Sequence, residues 1–221
     1  MDSHTTYAFL EKGALMAGMR GQFTPDVAVA TAATLMAENI KVFELTMNSV
    51  EPIAAMQAVK RKYGDEACVG MGTVLSVDAA KRVLDAGADF IVSPAFQPDV
   101  VQTIIAAGVF VAPGVITPSE CVAAWEMGAK MLKIFPIGTL GVGYFKAMFG
   151  PLGHMKFMCN GGMDSDNVPQ FLQAGAFACG MAGWLTGDGT MPQETIGRRA
   201  RLLREAVRTV RNTSGLGSRL V

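Results

Sequence analysis

Lys133 and Glu44 are the residues whose types and settings could most readily do chemistry. Lys133 lies in Lys130-Met131-Leu132-Lys133-Ile134-Phe135-Pro136, a short, mostly apolar run closed by a proline that stops strand pairing. Side chains alternate along a strand, so Met131 and Lys133 share one face and Leu132 and Ile134 take the other. Water-poor surroundings disfavour the ammonium and expose a neutral amine that can attack a carbonyl. The alternative is a lysine that carries its head to water at the strand end. In Lys41–Thr46, Phe43 and Leu45 point one way while Val42, Glu44 and Thr46 point the other, which puts a carboxylate inside an apolar strand. An amine and a carboxylate on separate interior strands suit imine chemistry on a ketone, with the carboxylate moving the protons. The same pair could instead be a buried ion pair, costly to desolvate and weak in net stability.

The elements that must position these two residues alternate along the whole chain. Strands are expected at Ala14–Met19, Lys41–Thr46, Ala67–Gly72, Asp89–Ser93, Val109–Ala112, the Lys133 run, Met155–Cys159 and Phe177–Met181. Helices are expected at Thr6–Lys12, Val27–Glu38, Ser49–Tyr63, Ser76–Ala86, Pro98–Ala107, Pro118–Met127, Val142–Phe149, Val168–Ala174 and roughly Met191–Arg211. Thr24, Ser76 and Thr117 are candidate N-caps, and Gly87 and Gly108 candidate stops. A related phrase recurs before three strands: Ala86-Gly87-Ala88, Met127-Gly128-Ala129 and Ala174-Gly175-Ala176. Eight alternating βα units predict an α/β fold, a single-domain (β/α)8 TIM barrel over residues 1–221. It would carry an extra N-terminal helix and a loose polar tail from about Asn212. A doubly wound open sheet is the structural runner-up, lowered because no G-x-G-x-x-G follows the first strand.

Composition narrows the function classes. The 221 residues are 50% hydrophobic and carry 19 basic and 19 acidic side chains, so net charge gives no reason to expect nucleic acid or an anionic membrane. Cys68, Cys121, Cys159 and Cys179 are far apart, without a CxxC or Cys/His pair, and read as buried thiols of a reducing cytosol. The N-terminus lacks a basic region followed by an apolar stretch, so no signal peptide is expected, and no run spans a bilayer. A soluble cytoplasmic protein is expected.

In such a barrel the active site lies at the carboxyl ends of the strands. Arg20, Glu44, Thr46, Asn48, Thr73, Ser93 and Lys133 would converge there. At this point the chain resembles the class I aldolases that cleave 2-keto-3-deoxy-6-phosphogluconate (KDPG) and 2-keto-4-hydroxyglutarate (KHG). The matching phrases are Phe43-Glu44-Leu45-Thr46, Gly70-Met71-Gly72-Thr73-Val74-Leu75, Ser93-Pro94, Pro113-Gly114-Val115-Ile116-Thr117-Pro118-Ser119-Glu120, Lys133-Ile134-Phe135-Pro136 and Gly161-Gly162. They keep the family's order over roughly residues 14–190. The resemblance implies a (β/α)8 barrel, commonly a homotrimer, with no metal or organic cofactor. It implies Lys133 as Schiff-base lysine, Glu44 as acid/base, Thr73 at the pyruvate carboxylate, Pro94 and Phe135 lining the pyruvyl pocket, and Arg20 at the end of the first strand. The implied reaction releases pyruvate and an aldehyde from a 2-keto-3-deoxy or 2-keto-4-hydroxy acid.

Two departures from the family pattern stand out. Members acting on the gluconate often carry arginine where this chain has Asn48, and Met47-Asn48-Ser49 is closer to the 6-phosphogalactonate branch. An uncharged amide does not give the bidentate, charge-assisted pair that arginine gives. After the eighth strand, where relatives carry Gly-Gly-Ser or Gly-Ser for a phosphate, this chain reads Gly180-Met181-Ala182-Gly183-Trp184, without a hydroxyl. Many relatives have threonine at Asn160, and Asp164 would bring charge near a phosphate. Gly161, Gly162 and Gly183 could still offer backbone N–H groups, but a non-phosphorylated keto acid also fits. The rival functions are an isomerase or synthase on a phosphate-binding barrel, and a non-catalytic keto-acid sensor. His4, His154 and the 15 methionines read as solvent-facing or packing residues, and Trp184 as packing that could close the pocket. The arginines of the last helix read as a solvated face opposite Ile196, Ala200, Leu203, Val207 and Val210.

Overall fold

The βα units are punctuated by proline at helix starts and glycine at helix ends. Proline opens α2 (Pro25–Ala37), α3 (Pro52–Tyr63), α5 (Pro98–Ala106) and α6 (Pro118–Glu126), where its missing N–H is not needed. Gly87, Gly108 and Gly128, all at positive φ, follow α4 (Val77–Asp85), α5 and α6 and turn the chain back toward the sheet. Ser76 caps α4, and Thr117 forms a capping box with Glu120 on α6. Thr24 occupies the N-cap of α2, but its hydroxyl makes no capping bond; Pro25 presets that first turn.

The computed structural model describes residues 1–213 of the chain. The strands are β1 (Leu15–Met19), β2 (Val42–Thr46), β3 (Cys68–Gly72), β4 (Phe90–Val92), β5 (Phe110–Ala112), β6 (Gly114–Val115), β7 (Leu132–Ile134), β8 (Phe157–Asn160) and β9 (Ala178–Met181). All pairings are parallel, in the order β5-β4-β3-β2-β1-β9-β8-β7-β6. β5 pairs β4 and β6 pairs β7, so these two stretches are one barrel strand interrupted at Pro113, and the sheet closes into an eightfold barrel. Proline ends pairing only through its missing N–H: the Pro113 carbonyl still accepts from Lys133 N at 2.9 Å, which carries the strand past its expected end.

Alternation separates two packed regions. Met16, Val42, Cys68, Phe90, Phe110, Ala112, Met131, Met158 and Ala178 fill the barrel's lower interior. Phe43, Leu45, Val69, Ile91, Leu132, Ile134 and Phe157 face out beneath the helices. α1 (Ser3–Gly13) is longer than expected and plugs the amino-terminal end with Leu10, which joins the interior cluster. At that end Asp89, 2% exposed, accepts from Val69 N at 2.9 Å and from the Lys60 ammonium. α7 (Ile137–Leu152) begins before the expected Val142 and kinks at Gly141, φ 78°. Short α8 (Val168–Gln173) and α9 (Gly183–Thr186) precede α10 (Gln193–Thr213), which buries Ile196, Ala200, Leu203, Val207 and Val210 at helical spacing. The tail expected from Asn212 lies, from residue 214 on, outside the described residues.

All four cysteines are buried and unpaired. Burial pushes the Cys68 thiol up to about 12 and Cys121 up to about 11, and raises Cys159 and Cys179 as well. Thiol reagents at pH 8 should therefore leave the folded protein unmodified and label four sites after denaturation. Because the folded values lie above the unfolded value near 9, the thiols' contribution to stability is complete below pH 9 and falls as pH rises toward 11–12. Fast labelling of the native protein would show that the thiols are accessible.

Candidate active site

Lys133 is the middle residue of β7 and points into the barrel with Met131 below it. Its neighbours in register are Gly114 on β6 and Met158 on β8. Glu44, on β2, stands in register between Gly18 on β1 and Gly70 on β3. Both side chains are buried, Lys133 being 7% exposed and Glu44 6%. Lys133 Nζ lies 3.6 Å from Glu44 Oε1 and 5.3 Å from the centroid of the Phe135 ring. A lysine that carried its head to water would not be this enclosed. Glu44 Oε1 has no hydrogen-bond partner among the described residues, whereas a carboxylate kept only to brace the fold would be satisfied on both oxygens. The pair is close enough for proton exchange through small movements and is left unclamped.

Glycines make this possible. A Cβ at Gly72 would overlap Glu44 Oε1, and one at Gly18 would come within 3.3 Å of Oε2. The carboxylate therefore lies in space that side chains of the neighbouring strands would otherwise fill.

Above the pair, a cavity of about 520 Å³ opens at the carboxyl ends of the strands. Arg20, Glu44, Asn48, Thr73, Pro94, Lys133, Phe135, Gly161, Gly162 and Gly183, all selected from the sequence, line it. Arg20 and Asn48 are exposed at the rim. Their loops are tied together: Ser49 Oγ accepts from Gly21 N at 3.0 Å and lies 2.9 Å from Thr46 Oγ1, and Val50 N donates to Gly21 O at 3.0 Å. Thr73 adopts φ 60°, a left-handed backbone that a β-branched residue rarely takes, and this strained turn sits directly on the cavity. Gly161 and Gly162, φ 87° and 76°, turn the chain after β8, and a Cβ on Gly161 would press on the Phe135 ring at 3.0 Å. Ser93 does not line the cavity; its hydroxyl donates to Ala95 O at 2.5 Å.

Among the further residues of the wall are Asn160, Asp164 and Trp184, which the sequence marks as a departure from the family, a charge near the far end and a candidate cover, and Met163. Asn160 is 5% exposed, faces inward at the end of β8, and its Oδ1 has no partner among the described residues. Met163 and Asp164 follow it, and Trp184 closes the side beyond β9. Asp164 Oδ1 accepts from Asp166 N and Asn167 N, both at 2.9 Å, so it caps the turn into α8 as its position suggests. Strand parity alone would have found Asn160, but nothing in its own segment marks it as part of the wall. His4 and His154 are exposed and outside the cavity; His154 meets Trp125 edge-on at 6.3 Å. Among the described residues no group of three or more His, Cys, Asp or Glu side chains is placed to hold a metal ion.

A closed parallel barrel whose carboxyl-terminal mouth holds a buried amine beside a free carboxylate defines an enzyme of the carbonyl-lyase kind. Comparison with known proteins makes the class specific. The sequence profile described as "Aldolase: KDPG and KHG aldolase" matches residues 8–201. The 2-dehydro-3-deoxy-6-phosphogalactonate aldolase of Escherichia coli K12 is 32% identical over 197 residues, 87% of this chain and 96% of that protein. A solved structure described as native KDPGal superposes with TM-score 0.85 at 30% identity, covering 90% of this chain and 96% of the other. KDPG aldolase from Legionella pneumophila, with pyruvate captured at low pH as a covalent carbinolamine intermediate, superposes with TM-score 0.77 at 25% identity over 93% and 97% of the two chains. The chain belongs to the KDPG and KHG aldolase family, and it is a class I aldolase and hence a lyase.

The clearance around Glu44 can be tested directly. Gly72→Ala should leave a folded barrel by circular dichroism but displace the carboxylate and lower aldol turnover by about 100-fold or more. Turnover near that of the unmodified enzyme would mean that Glu44 needs no such space.

Proposed function

We propose that the enzyme cleaves a 2-keto-3-deoxy sugar acid or a 2-keto-4-hydroxy acid to pyruvate and an aldehyde, through an imine on Lys133 with Glu44 as the proton carrier. The observation that carries this reading is the buried Lys133 amine 3.6 Å from a Glu44 oxygen that has no other partner among the described residues. The neutral amine adds to C2 of the substrate, and protonated Glu44 gives its proton to the ketone oxygen, yielding a carbinolamine. Loss of water leaves an iminium. The Glu44 carboxylate then takes the proton of the C4 hydroxyl, the C3–C4 bond breaks, and its electron pair flows into the iminium to give an enamine and the free aldehyde. Glu44 returns the proton to C3, and water adds to the resulting iminium, releasing pyruvate and the neutral amine while the proton set free goes back to Glu44. The iminium is the electron sink, so cleavage calls for no other.

The remaining roles follow the family resemblance, and their presence in the cavity lining supports them. Thr73 holds the keto acid carboxylate, with Arg20 contributing charge from the rim, and Pro94 and Phe135 flank the three-carbon pyruvyl unit. Asn48 offers an amide near the rim, and Gly161, Gly162 and Gly183 offer backbone N–H groups to the far part of the substrate. The phosphorylated galactonate cleaved by the Escherichia coli relative supports a sugar-acid substrate. A homotrimer working in the cytoplasm on a small-molecule keto acid completes the proposal; four buried free thiols suit that compartment.

Borohydride reduction with pyruvate, followed by intact mass and peptide mapping, should place one reduced pyruvyl group on Lys133. Lys133→Ala should stay folded and lose at least about 10⁴-fold in turnover, while Glu44→Gln should lose about 10²–10⁴-fold and form the adduct slowly. A Lys133→Ala enzyme that turns over normally, or a folded protein that yields no adduct, would remove the imine mechanism.

A further inference from the structure

We propose that the far end of the cavity is built for an uncharged, hydroxylated tail, so that the preferred substrate is an unphosphorylated 2-keto-3-deoxy acid bearing hydroxyls beyond C4. This rests on the aldolase reading above and specifies the substrate within it.

The first observation is Asn160. Its amide is nine-tenths buried, faces the cavity, and leaves Oδ1 without a donor among the described residues. Its neighbour in register on β9 is Gly180, where a Cβ would overlap the amide. The fold thus makes room for an acceptor and leaves it unused by the protein. A substrate hydroxyl can donate to Oδ1 and also accept from Nδ2, whereas a phosphate dianion could use only Nδ2 and would leave Oδ1 unpartnered.

Charge points the same way. Arg20, Lys133, Glu44 and Asp164 are the charged residues of the lining, two of each sign. The keto acid carboxylate adds one negative charge near Lys133 and Thr73. A phosphate would bring nearly two more to the end where Asp164 stands. Besides Lys133, Arg20 is the cation among the described lining residues; it stands at the rim, is exposed, where ion pairs are weak, and the groove beside it also contains Asp188. Neither Gly161–Asp164 nor Gly180–Trp184 has a side-chain hydroxyl, and α9 is only four residues long.

Trp184 supplies what a sugar chain needs in place of a phosphate cradle. Its indole lines the cavity and is held by Arg199 of α10, whose guanidinium carbon lies 5.1 Å from the ring centroid. Arg199 Nη1 also donates to the Trp184 carbonyl and to Met191 Sδ, the latter at 3.5 Å. A fixed aromatic wall beside an amide and a carboxylate suits a chain whose C–H groups pack on the ring while its hydroxyls donate to oxygen.

The test uses the full-length enzyme and four probes, 2-keto-3-deoxygluconate and 2-keto-3-deoxygalactonate, each with and without a 6-phosphate, with pyruvate release as the signal. In at least one epimeric pair the unphosphorylated acid should be favoured tenfold or more in kcat/KM. Asp164→Thr should raise kcat/KM for the phosphorylated compound, and Asn160→Ala should lower it for the unphosphorylated one. Equal or better cleavage of the phosphorylated acids would overturn the inference and leave the aldolase assignment intact. Cleavage of none of the four, with pyruvate still trapped on Lys133, would overturn this substrate class alone. Absence of both cleavage and trapping would remove the aldolase reading and this inference with it.

Discussion

Two charged side chains can share the inside of a narrow barrel only where the adjacent strands give up their own. Neighbouring parallel strands run about 4.8 Å apart, so each inward side chain has a competitor on either side. Around Glu44 and on one side of Lys133 and Asn160 those competitors are missing. Glu44 stands between Gly18 and Gly70, Lys133 beside Gly114, and Asn160 beside Gly180. One layer lower the same strands carry Met16, Val42, Cys68, Ala112, Met131 and Ala178, and the interior is packed. The barrel is therefore a filled core below and a polar chamber above. Water is kept from below by side chains and by the α1 plug, while substrate enters from the rim.

This arrangement carries a stability cost that the rest of the chain offsets. A buried amine and carboxylate at 3.6 Å recover little of their desolvation, and an unpartnered buried oxygen recovers less. Thr73 adds backbone strain at the same mouth. Against this stand the continuous apolar layer between barrel and helices and loops fastened to each other at the rim. The Ser49 contacts join the loops after β1 and β2, the Tyr144 hydroxyl donates to Ile116 O, and Gly138 N donates to Gly161 O at 2.8 Å. Loops fastened in this way keep the polar side chains of the mouth in place, although among the described residues no side-chain hydrogen bonds tie Arg20, Asn48, Thr73 and Asn160 to one another.

Much of the fold was legible because its signals are local. Alternation in Lys41–Thr46 and in the Lys133 run assigns the two catalytic candidates to the interior, and their faces in the structure are the expected ones. Helix starts at Pro25, Pro98 and Pro118 could be read from single residues, whereas the helix expected from Ser49 begins only at Pro52. The continuation of the fifth strand through Pro113 could not, since proline marks the loss of a donor and not of the carbonyl that Lys133 uses. The start of α7 was hidden behind Gly141, which kinks the helix without ending it. Roles for Thr73, Pro94 and Phe135 came from family resemblance alone. Asn160 was noticed as a departure from the family but not as a wall of the site. Its importance depends on Gly180, twenty positions away along the chain and brought alongside only by strand register.

The last helix shows how non-local such a site is. Its arginines read as a solvated face, and several of them are solvated, but three are spent on the barrel. Arg204 donates to Gly13 O at 3.1 Å, and Arg211 to Lys12 O and Glu11 O at 2.7 and 2.6 Å. These carbonyls end α1, where a cation meets both unpaired acceptors and the negative end of the helix dipole. Five residues before Arg204 along α10, Arg199 grips Trp184 at the cavity wall. One helix outside the barrel thus fastens the plug at one end and the substrate wall at the other. Its apolar stripe, Ile196 to Val210, fixes the rotation that puts both sets of arginines on target. A change in that stripe would reach the cavity through packing alone, because its Trp184 wall is held from behind by a helix that does not line it.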